Sequence, residues 1–371
     1  MRPPLPSMIL SRSIRFSGYA QFGGGPSPGD RDSRVAEVEP RHGPNTETTG
    51  VHRCSQVFND PMKNIAPTGA QHTIAADGFQ AILTELGAGL RSLTLNGRPL
   101  VVDYPEDLSP VGGAGLPLLP WPNRIEDGRY TFDGEDRQLA LTEPKTGNAI
   151  HGFSRSHSWQ VLSHDAASIR LGLRLFPQTG YPHILDLSIL YALSASGLEV
   201  EVAAENVGDT VAPYGFGAHP YLALGTLDDA VLELPAAQWL TVNDRKIPTG
   251  RRGVEGTEYD FRTARPIGEL ELDTAFTGLE RGADGLLRVS LRAADGTGGV
   301  ELWAGDGINW LQLYTGDTLP DEYRRRGLAV EPMSCPPNAF RTGEDVIRLA
   351  PGDRVAHRWG IGPIPSAEKI V

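Results

Sequence analysis

The chain is short of cysteine, of lysine and of long apolar runs, and each shortage narrows what it can be. Its 371 residues include only two cysteines, Cys54 and Cys335. That is too few for a disulfide scaffold, and it suits a reducing, cytoplasmic setting. No apolar run approaches the roughly 20 residues that span a bilayer, so no membrane partner is expected. Lysine occurs only at Lys63, Lys145, Lys246 and Lys369, within a net charge of −12. Such a chain has no basic face for nucleic acid and no polyphosphate-binding surface, although a single phosphate remains compatible with it. Convincing amphipathic helices are scarce, and no short repeat has a fixed period. A doubly wound sheet, a solenoid and a propeller are therefore disfavoured.

Residues 1–66 differ from the rest. Gly, Pro, Ser and Arg dominate there, and neither strand nor helix periodicity persists. Eight Lys/Arg stand against six Asp/Glu, so the remainder of the chain carries all of the net acidity. No acid precedes Asp30, while Arg2, Arg12 and Arg15 are present, which is the character of a transit peptide. The favoured reading is a disordered, dispensable extension or an over-extended start, with Met62 as an internal start. Removing residues 1–61 should leave activity intact.

From residue 67 the pattern is that of one β domain. Ile169, Leu171, Leu173 and Leu175 alternate with other residues, as do Leu185, Leu187, Ile189 and Tyr191, and Leu198, Val200 and Val202. A period of two marks half-buried antiparallel strands. Turn signals recur at Asp77-Gly78, Asn96-Gly97, Asp133-Gly134, Asp284-Gly285 and Asp295-Gly296. With 39% hydrophobic residues a large core is affordable. These features predict an all-β fold of antiparallel sheets packed face to face.

Chemistry concentrates in a few segments. In Leu328 to Phe340, LAVEPMSCPPNAF, an apolar strand end is followed by Glu331, and Pro336 and Pro337 then impose a loop. Glu331 is either a general base aimed into a cleft or a solvated strand-end carboxylate. His219, in Tyr214 to Tyr221, is flanked by Gly215, Gly217 and Pro220; it is either a general acid or a satisfied core histidine. His151 lies in Asn148 to Phe153, and taken alone it reads as structural. Arg124 follows Trp121-Pro122-Asn123, where an aromatic ring and a guanidinium suit a sugar as well as a surface. Asp273 would accept from sugar hydroxyls if it faces a cleft. Other signals are weak. His151 and His157 have no common metal spacing, Cys335 lacks a Cys-His signature, and Gly-Phe-Ser-Arg-Ser at 152–156 is no nucleophile elbow. The glycines of 111–115 do not open a helix as a phosphate loop would.

Taken in order, these segments resemble the aldose 1-epimerase (galactose mutarotase-like) family, in a bacterial subgroup, from about residue 68 to 363. The resemblance implies a β-supersandwich and no cofactor or metal. It implies catalytic roles for Glu331 as base and His219 as acid. Substrate binding falls to Arg124 and His151, and to Asp273, with Trp121 and Tyr221 beside them. A protonated histidine donates readily near neutral pH, and opposite charges would help hold His219 protonated. The implied reaction interconverts the α and β anomers of free aldoses such as glucose or galactose. The partner is thus a small sugar, and either a monomer or a homodimer is compatible. The alternatives on this fold are a hexose-6-phosphate 1-epimerase and a non-catalytic carbohydrate-binding protein. A polysaccharide lyase or hydrolase is disfavoured by the lack of a tryptophan-lined stretch.

Overall fold

Leu185, Leu187, Ile189 and Tyr191 are buried, while Asp186, Ser188 and Leu190 between them stay partly exposed, as the period of two requires. The computed structural model describes residues 65–366, and the same alternation builds two large antiparallel sheets. Nine strands form the first. Its middle comprises Gly299–Ala304, Arg354–Ile364, Gly197–Asn206 and Leu185–Ser194, and Gln160–His164 forms one edge.

The second sheet has six strands. We label them β1 (Tyr221–Ala223), β2 (Ala236–Val242), β3 (Pro248–Gly253), β4 (Asp273–Leu279), β5 (Trp310–Tyr314) and β6 (Gly327–Met333). Their order across the sheet is β1-β6-β5-β4-β2-β3. One hydrophobic core joins Ile189, Val200, Leu302 and Trp359 of the first sheet to Phe276, Leu311, Leu313 and Val330 of the second. Burial of that apolar surface is the main favourable term holding the sheets together.

Three of the foreseen turns, Asp77-Gly78, Asn96-Gly97 and Asp133-Gly134, are two-residue hairpin loops with both residues at positive φ. That geometry matches the right-handed strand twist. Helix is confined to single turns, such as Ala339–Thr342 and Ser154–Ser156. Among the described residues no helix is long and apolar enough to cross a membrane. The segment 1–66, Cys54 included, lies outside the described residues but for its last two, whereas Cys335 is a free, buried thiol.

One expectation needs correction. Glu331 does not sit where a strand gives way to a loop. β6 runs through it to Met333, and Glu331 pairs with Gln312 of β5. The strand continues because Pro332, which lacks an N–H, still uses its carbonyl: Ala218 donates to Pro332 O at 3.2 Å.

Candidate active site

The register of β6 explains how two residues 112 positions apart meet. On its outer edge Tyr221 pairs with Ala329, and Gly217 bridges to Met333. Two residues inward from either pair, His219 falls opposite Glu331. On the other edge Gln312 pairs with Glu331. Directly opposed residues project from one face, so His219, Glu331 and Gln312 form a row across the sheet. On β4 Ala275 pairs with Gln312. Asp273, two residues away on the same face, accepts from Gln312 Nε2 at 2.7 Å.

The loop after β6 stitches this row to the remaining segments. Ser334 donates its N–H to Phe216 O and accepts from Phe216 N at 2.8 Å through Oγ. Asn338 donates to Arg124 O at 2.7 Å. Close approach there depends on glycine: a Cβ at Gly217 would lie 2.6 Å from Pro122 Cβ. Arg124 pairs with Ile150, which brings the next residue, His151, beside Asn123. Asn123 N donates to His151 Nδ1 at 3.2 Å. In the neutral ring the proton then resides on Nε2, leaving that nitrogen a donor. His151 has a φ of 61°, and Gly152 behind it also has 61°. A Cβ at Gly152 would lie 2.0 Å from Leu119 O, so only glycine fits. The His151 ring meets the His219 ring edge-on, with centroids 5.5 Å apart.

Exposure grades from floor to mouth. At the floor the side chains of His219 and Glu331 are 6% and 3% exposed, with Nε2 and Oε1 3.3 Å apart. Their other polar atoms, His219 Nδ1 and Glu331 Oε2, are buried without a hydrogen-bond partner among the described residues. Arg124 donates through Nε and Nη2 to Glu143, both at 2.9 Å. This two-pronged bond fixes the guanidinium plane. At the mouth Lys246 Nζ lies 3.3 Å from Asp273 Oδ2.

Burial dominates the proton affinities. It pushes Glu331 well above the usual carboxylate range; Asp273 adds to the rise and Arg124 opposes it. Burial also lowers His219 to about 4, with Asp273 working the other way. His151 is lowered well below its usual value, first by burial and then by the charges of His219, Arg155 and Arg124. Burial thus works against the expected protonation of His219 at neutral pH. Desolvation favours the neutral form of both partners.

Two further expectations change. Trp121 presents no open ring face. It is 2% exposed and enclosed by Phe153 and Phe340, with centroids at 4.8 and 5.5 Å. Tyr221 is buried too. Its ring stacks on His219 at 5.1 Å, and its hydroxyl donates to Gly112 O at 3.0 Å. Both rings brace neighbours of the site. The sequence reading missed Gln312, Glu143 and Lys246. A polar Gln inside the apolar strand Trp310–Tyr314 was a usable signal for Gln312. The other two carry none, because only the tertiary fold brings them in.

The family model described as aldose 1-epimerase matches residues 70–361. The chain belongs to the aldose 1-epimerase family. Among this member's relatives, the uncharacterized protein YihR of Escherichia coli (strain K12) is 37% identical over 294 residues, 78% of this chain and 92% of that one. The galactose mutarotase of Rattus norvegicus is 33% identical over 159 residues, 40% of this chain and 44% of that one. The aldose 1-epimerase of E. coli is 27% identical, over 41% and 46%. The chain thus spans about half the length of those last two. Among solved structures, the GalM/aldose epimerase homologue from C. elegans superposes with a TM-score of 0.71 at 23% identity, covering 80% of this chain and 99% of that one. The galactose 1-epimerase from Lactobacillus acidophilus NCFM gives 0.65 at 23% identity, over 78% and 93%. At those identities the likeness is one of fold: a β-sandwich of the galactose mutarotase-like type. Membership places the protein in a family of isomerases acting on aldoses. Among the described residues no three His, Cys, Asp or Glu side chains converge as a metal-ligand set.

Proposed function

We propose that the protein is an aldose 1-epimerase that interconverts the anomers of free aldoses. Glu331 acts as general base and His219 as general acid. The observation that carries the reading is the buried His219–Glu331 pair, 3.3 Å apart, each with a polar atom that has no partner among the described residues. Glu331 takes the proton from O1 of the sugar while His219 gives one to the ring oxygen O5. The C1–O5 bond breaks with its electron pair going to O5, and the O1 lone pair becomes the second bond of the aldehyde. Rotation about C1–C2 exposes the other face of the carbonyl. Closure then returns the proton from Glu331 to O1 and recharges His219 from O5.

The proton count of the pair does not change in this cycle. Ring opening converts an ionised Glu331/protonated His219 pair into two neutral groups, and ring closure reverses that. Burial raises Glu331 and lowers His219, so it lowers the energy of the neutral pair that accompanies the open-chain sugar. Burial thereby favours the proton transfers that accompany ring opening, and closure reverses them. His151, neutral and with its Nε2–H free to donate, and Arg124, held by Glu143, orient the sugar oxygens and stabilise charge that develops on them. Asp273 and Gln312 receive hydroxyls away from the reacting centre.

Polarimetry of freshly dissolved α-D-glucose and α-D-galactose tests this, with Glu331→Gln and His219→Asn beside the unmodified protein. The unmodified protein accelerates equilibration, and each variant loses about 100-fold or more, the usual scale for a missing acid or base. Folded variants with near-normal rates would refute the assignment.

A further inference from the structure

Arg245 and Lys246 are consecutive residues in the turn between β2 and β3, and they reach to opposite sides of the site. The turn is closed by its own main chain. Lys246 N donates to Asn243 O at 2.8 Å, and Asn243 Oδ1 accepts from Arg245 N and Ile247 N at 2.9 and 3.1 Å. Arg245 donates to Thr146 O, Gly147 O and Asn148 Oδ1 at 2.8 to 3.1 Å, and it pairs with Asp127 at 2.7 Å. Those groups adjoin the strand Asn148–Ile150 that leads into His151. Lys246 points the other way, to Asp273, whose second oxygen is held by Gln312 beside Glu331.

Lys246 is held at a φ of 62°, a left-handed conformation unfavourable for a side chain with a Cβ. The side chains of Lys246 and Asp273 are 43% and 24% exposed, and an ion pair in such a setting adds little stability. The left-handed residue completes the hairpin turn between β2 and β3, and that turn carries the Lys246 side chain to Asp273. An ammonium has three N–H donors, and its contact with Asp273 is an ion pair at 3.3 Å. The pair thus keeps donors and acceptor capacity on adjacent atoms in a part of the site more exposed than the His219–Glu331 pair.

We propose that Lys246 is a substrate-positioning residue: with Asp273 it grips two neighbouring hydroxyls of the sugar remote from the anomeric carbon, Lys246 donating and Asp273 accepting. Arg245 sets the reach of that grip by anchoring the turn to the His151 side. The inference rests on the aldose 1-epimerase reading and adds a specificity determinant to it.

The test is a comparison of Lys246→Met with the unmodified protein in mutarotation of D-glucose and its monodeoxy analogues. Loss of one charge-assisted hydrogen bond in a half-open site predicts a KM about 10-fold higher, with kcat within twofold. Deoxygenation at the gripped position should raise KM in the unmodified protein and leave it unchanged in the variant. Lys246→Gly, which suits the positive φ, should show the same KM defect with no loss of thermal stability. An active protein whose KM and deoxy-sugar profile survive Lys246→Met would overturn this inference alone. A fall in kcat together with the melting temperature would overturn it in favour of a structural role. An unmodified protein that accelerates none of these sugars would overturn the underlying reading as well.

Discussion

Lowering the pH probes the proton pair directly, because kcat/KM reports the protonation of the free enzyme. The pair works with one transferable proton between Glu331 and His219. Adding a second proton removes the base, and losing the first removes the acid. The acid limb is protonation of His219 beside a neutral Glu331, and burial lowers that imidazole to about 4. An ordinary histidine of pKa 6.5 would be roughly 90% protonated at pH 5.5, whereas one near 4 is only about 3% protonated. From pH 7.5 down to 5.5, kcat/KM for glucose should thus fall by less than about twofold, after subtraction of the uncatalysed rate at each pH. The alkaline limb lies above the ordinary carboxylate range, because burial raises Glu331. Asp273 raises both groups, so Asp273→Asn should move both limbs to lower pH. A tenfold loss by pH 5.5 with a midpoint near 6.5 would refute the reasoning, since it would mean that His219 titrates as a solvated histidine.

Other outcomes follow from the same geometry. Gly152→Ala adds a Cβ 2.0 Å from Leu119 O at a φ of 61°; it should cost about 3 kcal/mol or more in urea unfolding, and an unchanged midpoint would count against the packing described. His357 is buried, stacked on Phe216 at 4.9 Å, with both ring nitrogens unpartnered among the described residues. Burial lowers it to about 4. A depressed histidine contributes stability that is complete above its unfolded pKa of about 6.5 and is lost as pH falls toward 4. His357→Leu should therefore remove up to about 3 kcal/mol of acid sensitivity over that interval, read as the difference between the two proteins' unfolding free energies at pH 7 and pH 4.5. A parallel decline in both proteins would show that His357 is not buried neutral.

How much of this was legible beforehand depends on how local each signal is. The two-residue alternation in 185–191 and the Asn-Gly and Asp-Gly turns were readable because pleat and hairpin geometry act over a few residues. The order of the strands was not, since β6 lies between segments drawn from residues 221–223 and 310–314. Polar residues in apolar or proline-braced settings drew attention to Glu331, His219, His151, Arg124 and Asp273, and the structure brings these five segments together. Trp121 drew attention for its ring and Tyr221 through the family resemblance, yet packing decided that Phe153 and Phe340 cover the first and His219 stacks on the second. Nothing local marks Glu143 or Lys246, whose partners lie 19 and 27 residues away in the chain.

The sequence by itself determined the β class, the turn positions and the inventory of acid, base and cation, because these depend on residue type and near neighbours. The tertiary structure alone decided the rest. Register placed His219 opposite Glu331, and the walls around them removed water. Desolvation then raised the proton affinity of Glu331 and lowered that of His219, an effect that depends on everything packed around the pair and on no single residue within it.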